Sequence, residues 1–134
     1  MSAGRSPSCC RLRLERTGRW LADQATVART WRARVVGLLA HRSLPEGAAM
    51  VFPACRSIHT LGMRFPIDVM FVDRTWRVVA LRSKVNPWRL LGPVWSAWTA
   101  IELPTGTLAK AGVRLGDQVA VTLLSDGAAM SWRP

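Results

Sequence analysis

One stretch constrains this chain more than any other: Phe65-Pro66-Ile67-Asp68-Val69-Met70-Phe71-Val72. Its β-branched and aromatic residues favour a strand. Side chains alternate between the two faces of a strand, so Phe65, Ile67, Val69 and Phe71 share one face. Pro66, Asp68, Met70 and Val72 share the other. Both faces are apolar except at Asp68, so the strand is expected to be covered on both sides. An unpaired carboxylate there would cost many kcal/mol or be neutralised by protonation, so a designated partner is required. His41, Arg42, His59, Arg64 or nearby backbone N–H groups are the candidates. Asp73, at the strand end before a turn, is expected to bond local backbone amides.

The rest of the chain supplies partners for such a strand. Cys10–Arg16 alternates like a half-buried strand, Thr17-Gly18 turns it, and Trp20–Ala28 is read as its return. Thr30 is an N-cap signal for a short amphipathic helix built on Trp31, Val35, Leu38 and Leu39, with Leu44–Gly47 as the following turn. Strands are then expected over Ala49–Phe52, Ser57–Thr60, Trp76–Val85, Trp98–Leu103 and Asp117–Leu124, with a helical turn up to Lys110. The fold class expected is mainly β: a small single-domain β-sandwich or partly closed barrel with one short helix near the N-terminal third. Residues 1–8 are read as a loose end, 9–124 as one domain and 125–134 as a loose tail.

Composition narrows the classes of function. With 134 residues, 49% of them hydrophobic, the chain is expected to close a real core rather than remain disordered. No apolar run is long enough for a spanning helix, and no secretory signal is read at the N-terminus. The cysteines number three, Cys9, Cys10 and Cys55; an odd count without a leader points to reduced thiols and a cytoplasmic setting. The net charge is +11, almost wholly from arginine, with only Lys84 and Lys110 as lysines. The charge divides evenly, +6 over residues 1–47 and +5 over 48–134. A nucleic-acid binder usually gathers such charge into a stripe or tail, so no strong nucleic-acid signature is read.

Four chemistries compete around the apolar strand. Cys55 and His59, with Asp68 downstream, would suit a hydrolase or transferase whose histidine activates a thiol. A spacing of four on a strand separates such side chains by roughly 13 Å, so they meet only if the chain turns between them. Cys55, His59, His41 and Asp68 include zinc-type donors, but their spacing carries no metal signal. Asp68 and Glu102 could act as an acid–base pair if one sheet brings them together. No P-loop, dinucleotide fingerprint or HExxH motif is present, and no cofactor is expected. Finally, Trp88, Trp95 and Trp98 cluster with Leu90, Leu91 and Val94, which suits a lid over the core, a ligand wall, a partner surface or a peripheral membrane contact. The best reading is a non-catalytic binding or accessory domain with its pocket or surface near Cys55–Asp68. A hydrolase or transferase, and a charge-driven membrane or nucleic-acid binder, are the alternatives.

Several motifs fall in a familiar order: Gly37-Leu38-Leu39, Leu44-Pro45-Glu46-Gly47, Phe65–Asp73, Glu102-Leu103-Pro104-Thr105-Gly106 and Gly116-Asp117-Gln118-Val119. Together, over about Ala28–Val121, they resemble the prokaryotic family called domain of unknown function 192. The resemblance implies a compact, mostly β domain with a short helix near its start, and no established activity, cofactor or substrate. Two departures stand out. The family's usual Gly-Leu-Met with an arginine two places on is here Leu39 and His41, with Arg42 next door. Its frequent Trp-Met-x-Asn-Thr run is replaced by His59–Met63. If the usual arginine or asparagine holds the strand aspartate, this chain must use other groups.

Overall fold

The computed structural model describes residues 8–28, 44–125 and 128–131. Ten strands are present there: β1 (Ser8–Leu14), β2 (Trp20–Val27), β3 (Ala48–Pro53), β4 (Ile58–His59), β5 (Ile67–Val72), β6 (Val78–Val85), β7 (Leu90–Leu91), β8 (Thr99–Pro104), β9 (Val119–Ser125) and β10 (Ala128–Ser131). One helix, α1 (Thr107–Ala111), follows β8. The fold is mainly β, as the alternating pattern requires. The helix expected over Thr30–Leu39 falls outside the described residues. The C-terminal segment, expected to be loose, contributes β10, which pairs with β9.

Eight strands form one sheet in the order β10-β9-β1-β2-β3-β8-β5-β6. Every neighbouring pair is antiparallel except β2–β3. That parallel pair needs a crossover, and residues 28–47 supply the connection. The sheet curls until its ends approach. Arg77 and Gln118 form an isolated bridge, and Val119 N–H donates to Trp76 O at 2.9 Å. A single bridge does not make a ladder, so the sheet is not closed into a barrel.

The central strand confirms the two-sided burial read from its sequence. All six residues of β5 are buried. Met70 and Val72 join an inner core with Leu12, Leu14, Ile101, Leu103, Leu108 and Val121. Ile67, Val69 and Phe71 join an outer core with Phe52, Ile58, Met63, Phe65 and Ala97. The outer core needs a cover, which comes from segments 54–66 and 86–98, joined as the two-stranded β4–β7 sheet. We call this cover the flap.

A buried threonine fastens the flap. Thr60 Oγ1 donates to Asn86 O at 2.8 Å and accepts Arg89 N–H at 2.9 Å. Its backbone N–H donates to Arg89 O, and its carbonyl accepts Trp88 N–H. Every polar group of the residue is thereby used, which is what burial demands.

Candidate functional site

Asp68 points to the same side of β5 as Met70 and Val72, into the inner core, and is completely buried. Its partners are backbone donors. Oδ1 accepts Lys84 N–H at 2.9 Å, and Oδ2 accepts Leu108 N–H at 3.0 Å. Both bonds come from local irregularities. The β5–β6 register slips between Ile67 and Val69, so Ser83 and Lys84 together oppose Asp68. Lys84 takes φ 52°, and this bulge frees its N–H from the ladder. The helix α1 begins after Gly106, whose missing side chain leaves the first turn without a local cap. Asp68 caps it from another strand. Of the partners that the sequence offers, the backbone amides are the ones used, so the departure at His41 and His59–Met63 leaves the aspartate satisfied.

The other sequence candidates do not join it. Glu102 is fully buried but lies on the opposite face of the sheet, in register with Val69 on β5 and Met50 on β3. Asp68 and Glu102 therefore form no acid–base pair: one position of offset on adjacent strands turns them to opposite faces. His59 is exposed on β4, opposite Leu90. Cys55 is half-buried and its thiol donates to Ser57 O at 2.9 Å. Both belong to the flap on the outer face, whereas Asp68 is sealed inside, so the thiol–imidazole–carboxylate arrangement is not assembled. No group of three or more His, Cys, Asp or Glu side chains suited to a metal occurs among the described residues. His41 and Arg42 lie outside those residues.

What Asp68 positions is α1, and α1 is held at its other end too. Arg19 Nη1 donates to Lys110 O at 2.7 Å, and Arg16 Nη2 donates to Gly112 O at 2.7 Å. Cations at the C-terminal carbonyls complement the helix ends as the N-terminal carboxylate does. Arg16 is itself fixed by Asp117, with Nε–Oδ1 at 2.7 Å and Nη2–Oδ2 at 3.0 Å. Arg114 N–H adds a further bond to Asp117 at 2.8 Å. The Arg16 hydrogen bonds, against a smaller opposing effect of burial, hold the Asp117 carboxyl below its ordinary range.

The helix fixed in this way forms one wall of an open groove of about 760 Å³. Arg11 and Arg19 line it from β1 and the following turn, Trp20 and Asp23 from β2, and Thr107 and Lys110 from α1. Gly47 closes the floor at φ +85°. A Cβ there would meet Asp23 Oδ1 at 2.5 Å, so glycine lets that carboxylate lie directly over the backbone. Glu46 stands 3.9 Å from Lys110 Nζ at the rim, where both are largely exposed and the pair contributes little. Trp20 is more than half exposed, with the Arg13 guanidinium 5.8 Å from its ring. Sequence reading missed this groove. Its residues come from three separated segments, and the only local hint was an Arg-Trp pair directly after a turn.

The region matching the DUF192 family (Uncharacterized ACR) runs from residue 12 to 121, spanning β1 through β9. A UPF0127 protein of Thermococcus sibiricus is 28% identical over 106 residues, covering 76% of this chain and 68% of that protein. The UPF0127 protein TK1120 of Thermococcus kodakarensis is 30% identical over 112 residues, covering 81% and 71% respectively. Two solved structures share the fold. One, from Novosphingobium aromaticivorans and of unknown function, has a TM-score of 0.69 at 20% identity, covering 83% of this chain and 82% of its own. The other, from Sinorhizobium meliloti and described as a candidate transcription regulator, has a TM-score of 0.72 at 18% identity, covering 89% and 96%.

Proposed function

Because the chain belongs to the uncharacterised DUF192 family, whose name assigns no chemistry, we propose from its geometry that it is a non-catalytic binding domain whose ligand occupies the groove walled by α1. The carrying observation is that three distant side chains, Asp68, Arg16 and Arg19, are spent on holding a five-residue helix against that groove. A short helix has little stability of its own, so its position is set by these contacts. The groove volume falls in the range of small-molecule sites. Arg11, Arg19 and Lys110 outnumber the carboxylates of Asp23 and Glu46 in the lining and favour an anionic group, and the exposed Trp20 ring offers a flat apolar surface. A small aromatic carboxylate combines the two. Among the described residues the lining holds neither histidine nor cysteine, which favours binding over covalent chemistry.

Amide NMR titration with benzoate and with naphthoate tests this reading. Saturable shifts confined to Trp20–Asp23, Gly47 and Thr107–Ala111, and lost in Arg19→Ala with Lys110→Ala, are expected. Shifts that never saturate, or that centre on the flap, would refute it.

A further inference from the structure

The flap has an outer surface that the groove leaves unexplained. Its inward side chains, Ile58, Met63, Phe65 and Ala97, are buried against β5. Its outward ones include Trp88 (67% exposed), Leu90 (75%), Trp95 (78%) and Leu61 (44%). The hydrogen bonding of the flap brings their backbones together. Trp88 N–H donates to Thr60 O, next to Leu61; Leu90 lies opposite His59; and Val94 N–H donates to Arg56 O, next to Trp95. At Gly92 the two segments come so close that a Cβ would meet Arg56 O at 2.6 Å. Large apolar side chains are seldom concentrated on one exposed face without a use for them.

The charge on this face has a single sign. Segments 54–66 and 86–98 contain Arg56, Arg64 and Arg89, and no aspartate or glutamate. All three arginines are exposed. Arg56 bends inward to donate to Ala97 O at 3.0 Å and lies 5.8 Å from the Trp98 ring, while Arg74 covers that ring at 3.8 Å. Trp98 is thus half-buried under cations and does not belong to the exposed set, unlike Trp88 and Trp95. Arg89 lies between Trp88 and Leu90 in the chain, and Arg64 follows Leu61 by three residues.

We propose that the flap face docks on an anionic lipid bilayer, with Trp88, Leu90 and Trp95 entering the headgroup–acyl boundary and Arg64 and Arg89 facing the lipid phosphates. Tryptophan is enriched at that boundary because its ring is apolar and its N–H is polar. Leucine gains from the acyl side, whereas a nucleic acid offers it little. Arginine gains from the negative surface potential. The bilayer satisfies all three residue types at once. The reading is independent of the groove and survives its failure.

Vesicle co-sedimentation of the full chain provides the test, comparing pure phosphatidylcholine with phosphatidylcholine containing phosphatidylglycerol, at low and high salt. Retention on the anionic vesicles that falls with salt is expected. Trp88→Ser, Leu90→Ser and Trp95→Ser combined should weaken it at least about tenfold, with an unchanged circular-dichroism melting curve, since all three side chains are exposed. Arg64→Gln with Arg89→Gln should lower the preference for anionic lipid about 30-fold. No retention by the unsubstituted chain overturns the proposal, as does retention that the serine variant keeps. Sedimentation velocity showing a dimer that the serine variant abolishes would identify a second copy as the occupant and also overturn it, as would capture by duplex DNA without capture by vesicles.

Discussion

Removing the Asp68 carboxylate leaves two backbone donors without acceptors, and the cost can be worked from their surroundings. Leu108 N–H is buried beside the inner core, and Lys84 N–H is partly buried at the bulge. An orphaned buried donor costs about 1–3 kcal/mol, with bonds to a charged acceptor at the upper end. Taking about 2.5 kcal/mol for Leu108 and about 1 for Lys84, Asp68→Ala is expected to lose roughly 3.5 kcal/mol, before any cavity effect. For a chain this size that is a fall of about 10–14 °C in melting temperature. Asp68→Asn is the sharper test. Its shape is retained and one bond survives, but the amide NH2 faces the second N–H, so about 2 kcal/mol is expected. The loss should be local as well as global. Native-state hydrogen exchange should accelerate first at Leu108 and through α1, and at Lys84, while β1 and β9 amides keep exchange governed by global unfolding. Urea denaturation of both variants with residue-resolved exchange provides the measurement. A loss below about 1 kcal/mol in Asp68→Ala, or protection at Leu108 and Lys84 equal to that of the unsubstituted protein, would refute the idea that this carboxylate pins helix to sheet.

Other expectations follow from the same contacts. Burial, aided by neighbouring Cys9, pushes the Cys10 thiol up to about 12, so at pH 8 a disulfide reagent should titrate Cys9 rapidly and Cys10 only after denaturation, as peptide mass mapping would reveal. Asp117 has a lowered folded pKa, so its contribution to stability is complete above the unfolded carboxylate value and is lost as pH falls through the folded one. Acid unfolding below about pH 4 should therefore be less steep in Asp117→Asn than in the unsubstituted chain. Asp73 contributes to the same window: although burial opposes its ionisation, hydrogen bonds from Thr75 and Arg77 keep its pKa low. Gly47→Ala would strain a left-handed residue and displace Asp23, costing about 1–3 kcal/mol and shifting the Asp23 side-chain resonances in NMR.

The alternation of apolar residues determined much of this protein from sequence alone. It marked β5 as covered on both faces, identified Asp68 as a group needing a partner, and placed Asp73 at a turn, where its Oδ1 accepts Thr75 N–H at 2.8 Å. Such features depend on period and on local geometry, which a sequence carries directly. Tertiary structure decided which residues meet. Register turned Asp68 and Glu102 to opposite faces, a bulge at Lys84 and an uncapped α1 supplied the aspartate's donors, and the β1–β2 turn brought Arg16 and Arg19 to the far end of that helix. Neither the groove nor the one-signed face of the flap is contiguous in the chain. Each arises because the curled sheet and its cover bring separated segments together, and pairing register between distant strands is set by the packing of the whole core rather than by any local pattern.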